Sequence, residues 1–304
     1  MARPGPTPAE YRRRLLAYAV IGAAALAAAV VMAQAVRRSP GEAEGEDLSP
    51  GGAAGERPQG QAVEPPAEPQ PPAHLRVVVH ERYPHQRDAF TQGLLWHDGR
   101  LLESTGLHGQ SSLREVDLRT GDVLRVREVD PELFAEGLAL VEDRLIQLTW
   151  EAGQALVWGL DDFALQRRYT YRGEGWGLCF DGESLVMSDG SSFLTFRDPE
   201  TFAVRRRGEV LEEGLPVRNL NELECVDGAV WANVWMQDWI VRIDPGSGRV
   251  RAVVDAGGLL SAEERFRTDV LNGIAYVPER ERFLLTGKRW PWVFEVTFEP
   301  TGRD

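Results

Sequence analysis

Lysine is almost missing from this chain: of 34 basic residues only Lys288 is not an arginine. Where only charge matters the two are exchangeable, and GC-rich codon usage would drift towards arginine. A site that needs an ammonium resists the exchange, because guanidinium is planar, larger and stays protonated. Lys288 is therefore either a chance survivor or a functional cation. Cysteine is scarce too, with Cys179 and Cys225 and no CxxC pair. This usage shows neither a disulfide framework nor a zinc site. Both cysteines fall in apolar strand-like segments, which predicts buried free thiols, with pairing left open in an oxidising compartment. Histidine stops at His108, so the last two-thirds of the folded region must do any chemistry without imidazole. Net positive charge is lacking as well. The formal charge is −13, and nearly all of it lies beyond residue 74, because a basic N-terminus and an acidic segment after it almost cancel. A body that acidic has no phosphate-tracking face, which argues against a nucleic-acid partner.

Three regions follow. Leu15–Val36 carries no charge and is bracketed by Arg12–Arg14 and Arg37–Arg38. About 20 apolar residues span a membrane, and a signal-peptide apolar core is usually only about 7–15 residues long. Residues 1–38 thus read as a transmembrane or signal-anchor helix, although Ala33-Gln34-Ala35 resembles a cleavage site. Either reading exports the remainder to the periplasmic or extracytoplasmic side. Residues 39–74 are Pro, Gly, Glu, Ala and Gln with almost no large aliphatics, too little to offset ordering entropy. They are expected to form a disordered tether. The folded domain is expected at 75–304.

That domain repeats. TQGLLW (91–96), AEGLAL (135–140), GWGLCF (175–180), NELECV (221–226) and NGIAYV (272–277) share one shape. With Gly93, Gly137, Gly177, Glu222 and Gly273 as phase markers, the spacings are 44, 40, 45 and 51. Each is followed by a polar turn and a second apolar run. Short strands with tight turns at this period predict an all-β, five-bladed β-propeller. Its open edge is expected to close by pairing 75–81 with 292–298.

In such a fold, residues of equal phase meet around one mouth. The first segments bring Phe90, Gln92, Phe134, Glu136, Trp176, Asn221 and Asn272, and the second segments end in Gly106, Trp150, Gly190, Trp235 and Lys288. Aromatic walls with one carboxylate, one amine and a few amides fit a small-ligand pocket. Asn272 fits a turn former equally well. The other tryptophans read as packing.

The blocks FTQGL (90–94), ESTG (103–106), FAEGL (134–138), QLTW (147–150), GEGWGL (173–178), SDGS (188–191), NELE (221–224), ANVW (232–235), LNGIAY (271–276) and TGKRWP (286–291) together resemble the plant and bacterial type of glutaminyl-peptide cyclotransferase. The resemblance runs in order through 83–298 and excludes the anchor and tether. It implies a five-bladed propeller that converts the N-terminal glutamine of peptides and proteins to pyroglutamate and releases ammonia, with no metal or other cofactor required. It also implies Glu136 and Lys288 as catalytic residues, and Phe90, Gln92, Phe134, Trp150, Trp176, Asn221 and Trp235 as the substrate site. Glu136 suits a proton shuttle, Lys288 an electrostatic role, and Gln92 and Asn221 hold the amide and amine. Burial would raise the pKa of Glu136 and Lys288 would lower it, a balance that sequence leaves open. The rival reading is a non-catalytic periplasmic propeller that binds peptide or sugar. A calcium-dependent lactonase-like propeller wants several channel carboxylates, and the ring as read offers one. A structural ion in the channel is compatible with the fold, but no ligands for it are visible in the sequence.

Overall fold

A computed structural model describes residues 70–302. The expected anchor and nearly all of the tether lie outside the described residues. Among those described, no helix is long and apolar enough to cross a membrane, and apart from strands there is one 3-10 turn, Pro278–Arg280.

The chain enters along β1 (Ala73–Pro84) and then makes successive antiparallel runs of four. The first run is β2 (Thr91–His97), β3 (Arg100–Thr105), β4 (Ser112–Val116) and β5 (Val123–Glu128). The second is β6 (Ala135–Val141), β7 (Arg144–Thr149), β8 (Gln154–Gly159) and β9 (Leu165–Thr170). The third is β10 (Leu178–Phe180), β11 (Leu185–Met187), β12 (Phe193–Arg197) and β13 (Val204–Glu209). A small ribbon, β14 (Leu211–Glu212) with β15 (Leu215–Pro216), leads into the fourth. That run is β16 (Leu220–Val226), β17 (Ala229–Val234), β18 (Trp239–Ile243) and β19 (Val250–Asp255). The last has three strands of its own, β20 (Leu271–Val277), β21 (Arg282–Gly287) and β22 (Trp292–Pro300).

β1 supplies the missing strand. It pairs antiparallel to β22 with Val77 opposite Phe298 and Val79 opposite Val296, the closure expected from the sequence. Its other edge was not anticipated: Ala73–Arg76 runs parallel to Ala252–Asp255 of β19. The fourth and fifth runs therefore merge into one eight-stranded sheet.

In the first three runs the inner strands are buried and the fourth strand is exposed, whereas β19, covered by β1, stays mostly buried. β7 and β17 are buried throughout, whereas β5, β9 and β13 are mostly exposed. The first strands touch in cyclic order, β2 to β6, β10, β16, β20 and back to β2. Glycine makes this approach possible. A Cβ on Gly137 would stand 2.5 Å from the Leu178 nitrogen and 2.7 Å from the Trp176 oxygen, inside any real contact.

At the equivalent position β16 carries Glu222 instead, fully buried. Its two oxygens accept from the backbone N–H of Leu94 at 3.3 Å and of Ile274 at 2.8 Å, bridging three first strands. Two residues on, Glu224 accepts from the Tyr276 N–H at 2.8 Å. Burial drives the Glu224 carboxyl up to about 8 despite the backbone N–H groups of Tyr276 and Cys225. A carboxyl whose folded pKa is raised weakens the fold as pH climbs from its unfolded value to its folded one. Stability is therefore expected to decline between about pH 4.5 and 8. Glu224→Gln, which keeps the acceptor oxygen, should flatten that decline and add up to about 4 kcal/mol at pH 8. Unfolding midpoints of both proteins across that window check it; parallel curves would remove Glu224 from the account.

The expectation of free thiols is overturned. Cys179 on β10 and Cys225 on β16 form a disulfide across adjacent first strands. They lie 46 residues apart, so neither a motif nor a short spacing betrays the pairing; it arises because the ring sets equal phases side by side. Constraining a loop of that length stabilises by about 2–4 kcal/mol. The Cys179→Ala/Cys225→Ala protein should lose that amount in denaturant unfolding while retaining its turnover at low temperature.

Candidate active site

The strand ladders skip at four matching places: between Thr91 and Gly93, Ala135 and Leu138, Leu220 and Leu223, and Leu271 and Ile274. The skipped residues include Gln92, Glu136, Asn221 and Asn272. A bulge leaves a residue out of the ladder and re-aims its side chain, so the same irregularity in four first strands turns four polar groups out of the sheet register. In the third run, Trp176 holds the corresponding place just before β10, where its N–H donates to the Ser188 carbonyl at 3.0 Å.

Glu136 is buried. Gln92 Nε2 donates to its Oε1 at 2.8 Å, and Asn272 Nδ2 donates to Gln92 Oε1 at 3.3 Å and to the Thr91 carbonyl at 3.0 Å. This relay fixes which way the Gln92 amide faces. It also decides the question left open for Asn272: the residue lies within β20, fully buried, and orients Gln92. The backbone of Glu136 is pinned by the Ser104 hydroxyl, which Gln147 Nε2 holds at 2.9 Å. Two buried acceptors, Asn221 Oδ1 and Asn272 Oδ1, have no partner among the described residues. A buried unmade hydrogen bond costs about 1–3 kcal/mol, so these oxygens retain unused accepting capacity.

The electrostatic balance falls to burial. Desolvation holds the Glu136 carboxyl well above the usual carboxylate range, with Lys288 pulling it down and Glu174 adding to the rise. Lys288 is buried and its pKa is lowered by desolvation, opposed by Glu136 and Asp269. Sequence reasoning directs Lys288 towards Glu136, and the two do act on each other, but among the described residues they form no ion pair. The ammonium instead lies 4.9 Å from the centre of the Phe90 ring.

Its loop is clasped by the start of the first run. Arg289 N–H donates to the Ala89 carbonyl at 2.7 Å and His85 N–H to that of Pro291 at 2.9 Å. The His85 ring meets the Trp290 carbonyl at 2.9 Å and Glu103 at 3.0 Å, both acceptors. Burial pulls His85 down, but the Glu103 carboxylate outweighs it and raises its pKa, which favours an ion pair between the two under the Lys288 loop.

The aromatic residues form two arcs. Phe90 meets Phe134 edge-on at 6.2 Å, and Phe134 meets Trp150 at 5.6 Å. Trp176 and Trp235 meet edge-on at 5.7 Å, with Trp235 partly exposed. Joining the arcs is Glu174, whose Oε2 accepts from Trp150 Nε1 at 2.8 Å and Trp176 Nε1 at 2.9 Å. The structure places Phe90, Phe134 and Trp150 in one arc, Trp176 and Trp235 in the other, Glu136 on Gln92, Lys288 over Phe90 and Asn221 at a bulge, whereas sequence reasoning passed over Glu174 and Glu222. Their presence corrects the count of one carboxylate in the ring. Glu222 is committed to backbone N–H groups and Glu174 to indoles, and among the described residues no group of three or more His, Cys, Asp or Glu could hold a metal ion. The signal for Glu174 was its own motif, a glutamate between two glycines directly before Trp176.

Known proteins resemble this chain over most of its length. Residues 56–298 match the family model for glutamine cyclotransferase. The glutaminyl-peptide cyclotransferase of Arabidopsis thaliana is 41% identical over 226 residues, covering 72% of this chain and 70% of that protein. The crystal structure of Myxococcus xanthus glutaminyl cyclase superposes with a TM-score of 0.68 at 39% identity, covering 76% of this chain and 99% of that one. The chain belongs to the glutamine cyclotransferase family.

Proposed function

We infer that this protein is a glutaminyl-peptide cyclotransferase, closing the N-terminal glutamine of peptides and proteins into pyroglutamate with release of ammonia. The observation that carries the reading is a buried, high-pKa carboxyl, Glu136, held by Gln92 beside an aromatic belt and a desolvated ammonium. The architecture is read as a five-bladed propeller: five first strands in cyclic contact, with β1 completing the last blade.

The α-amine nitrogen attacks the γ-carboxamide carbon and forms the lactam C–N bond. One amine proton passes to Glu136, the oxyanion forms, and Glu136 returns the proton to the amide nitrogen. The carbon–nitrogen bond to that group then breaks and ammonia leaves. Since the reaction is intramolecular, folding the side chain back supplies much of the acceleration; Phe90, Phe134, Trp150, Trp176 and Trp235 are the walls for that. Lys288 stabilises the oxyanion. Asn221, with its unpartnered Oδ1, accepts from the substrate amine or amide.

The organisation proposed is an N-terminal anchor (1–38), a tether (39–74) and a catalytic domain (75–304), held on the extracytoplasmic side. The Cys179–Cys225 disulfide supports export, since such bonds persist in oxidising compartments. The purified full chain is expected to release one ammonia per Gln-initiated dipeptide consumed. Binding of the dipeptide without consumption would leave a non-catalytic module instead.

A further inference from the structure

Glu174 has no role in the mechanism above, yet it touches both arcs of the aromatic belt. One oxygen, Oε2, takes both indole N–H groups, and the two tryptophans come from successive runs of the fold. Its backbone is threaded between glycines. Gly173 sits at φ +86, and a Cβ on Gly175 would run into the Tyr171 hydroxyl. The Gly175 N–H donates to the Trp150 carbonyl at 3.0 Å, so the same short segment grips Trp150 through backbone as well as side chain. Without the Glu174 carboxylate no side-chain contact among the described residues joins the Trp150 ring to the Trp176 ring: the ring contacts run Phe90–Phe134–Trp150 on one side and Trp176–Trp235 on the other.

We propose that Glu174 is a positioning residue for the cyclisation, fixing Trp150 and Trp176 as one continuous wall against which the glutamine side chain folds back. This rests on the activity inferred above. An indole N–H needs an acceptor when it is buried, and a carboxylate acceptor is roughly twice as strong as a neutral one. Sharing one oxygen sets the angle between the two indoles, which two separate acceptors would not. Its charge also acts on Glu136, helping to keep that carboxyl able to hold a proton.

The test compares Glu174→Ala, Glu174→Gln and Trp150→Phe with the parent in kcat and KM for a Gln-initiated dipeptide across pH. Tryptophan emission and unfolding midpoints are recorded alongside. Misplaced walls cost about 100-fold, so Glu174→Ala is expected to lose about that in kcat/KM, mostly in kcat, with altered emission. Glu174→Gln keeps an acceptor oxygen and should recover to within about 10-fold of the parent. Having lost the charge, it should move the acid limb of the pH profile to lower pH. In a Trp150→Phe background one of the two N–H groups is gone, so Glu174→Ala should cost much less than it does in the parent. The proposal is overturned if Glu174→Ala stays within about 3-fold of the parent, or costs as much in the Trp150→Phe background as in the parent, or if Glu174→Gln leaves the acid limb in place. A parent that releases no ammonia defeats the assigned activity and this proposal with it, whereas a parent that turns over while the variants fail as above defeats the proposal alone.

Discussion

Replacing Glu136 by glutamine is expected to lower kcat by about 10³-fold while leaving dipeptide binding nearly intact. General acid–base groups contribute about 10²–10⁴-fold, and Glu136 is asked to move a proton twice per turnover, once in each direction. Glutamine fits the site: Gln92 Nε2 can still donate to an amide oxygen where it now donates to Glu136 Oε1 at 2.8 Å. Removing a charge buried without an ion-pair partner should not destabilise the fold, so the loss of rate would be chemical. The parent's pH dependence gives the sign. Glu136 must be ionised to accept the amine proton, and burial holds its pKa well above the usual carboxylate range. The acid limb of kcat should therefore lie correspondingly high. Two outcomes remove Glu136 from its role: a Glu136→Gln protein within about 10-fold of the parent, or an acid limb at an ordinary carboxylate pKa.

Lys288→Arg should lose about 10²–10³-fold in kcat/KM, the cost of removing one oxyanion donor. This substitution keeps the charge that the rest of the chain carries as arginine. The surface welcomes that group: Arg206 lies 3.2 Å from the centre of the Phe196 ring and Arg125 3.7 Å from that of Phe163, stacked as flat plates. The Lys288 site offers the Phe90 ring, but the Arg289 guanidinium already lies 5.9 Å from the centre of that ring. Its ammonium is buried, faces Phe90 at 4.9 Å, and leaves a loop held tightly to Ala89 and Pro291. A guanidinium is longer, planar and unable to aim one compact charge. Kinetics on Lys288→Arg, with unfolding midpoints to show that the fold persists, decide the matter. More than a third of parental activity would return Lys288 to the status of chance survivor.

The first strands were legible because their period, turns and apolar runs are local signals, and equal phase is a property that spacing alone reveals. The closing pair was legible too, since an open edge needs a partner and only the termini were left. What sequence hid was lateral. The parallel pairing of Ala73–Arg76 with Ala252–Asp255 joins segments nearly the whole fold apart and leaves no periodic trace. Cys179 and Cys225 looked like apolar strand residues because they are, and only the ring makes them neighbours. Glu174 escaped because half-buried acids are common; its function lies in what it accepts from, not in its spacing. Asn272 was undecidable, because Asn-Gly marks turns as readily as bulges, and here the bulge wins. Arginine abundance also has a second cause besides codon usage, since several exposed fourth-strand arginines cover rings that a lysine would cover less well.

The first strand to be made is the last to find its place. β1 bonds only to β19 and β22, which leave the ribosome some 170 to 220 residues later. Until then a growing or translocating chain carries Ala73–Pro84 unpaired, with the long-range contacts that slow folding still unformed. Lys288 shares that delay, because its loop is bonded to His85 and Ala89, at the far end of the chain from it. Incomplete chains should therefore be inert even where most of the sheet has formed. Completion of synthesis and onset of activity become a single event.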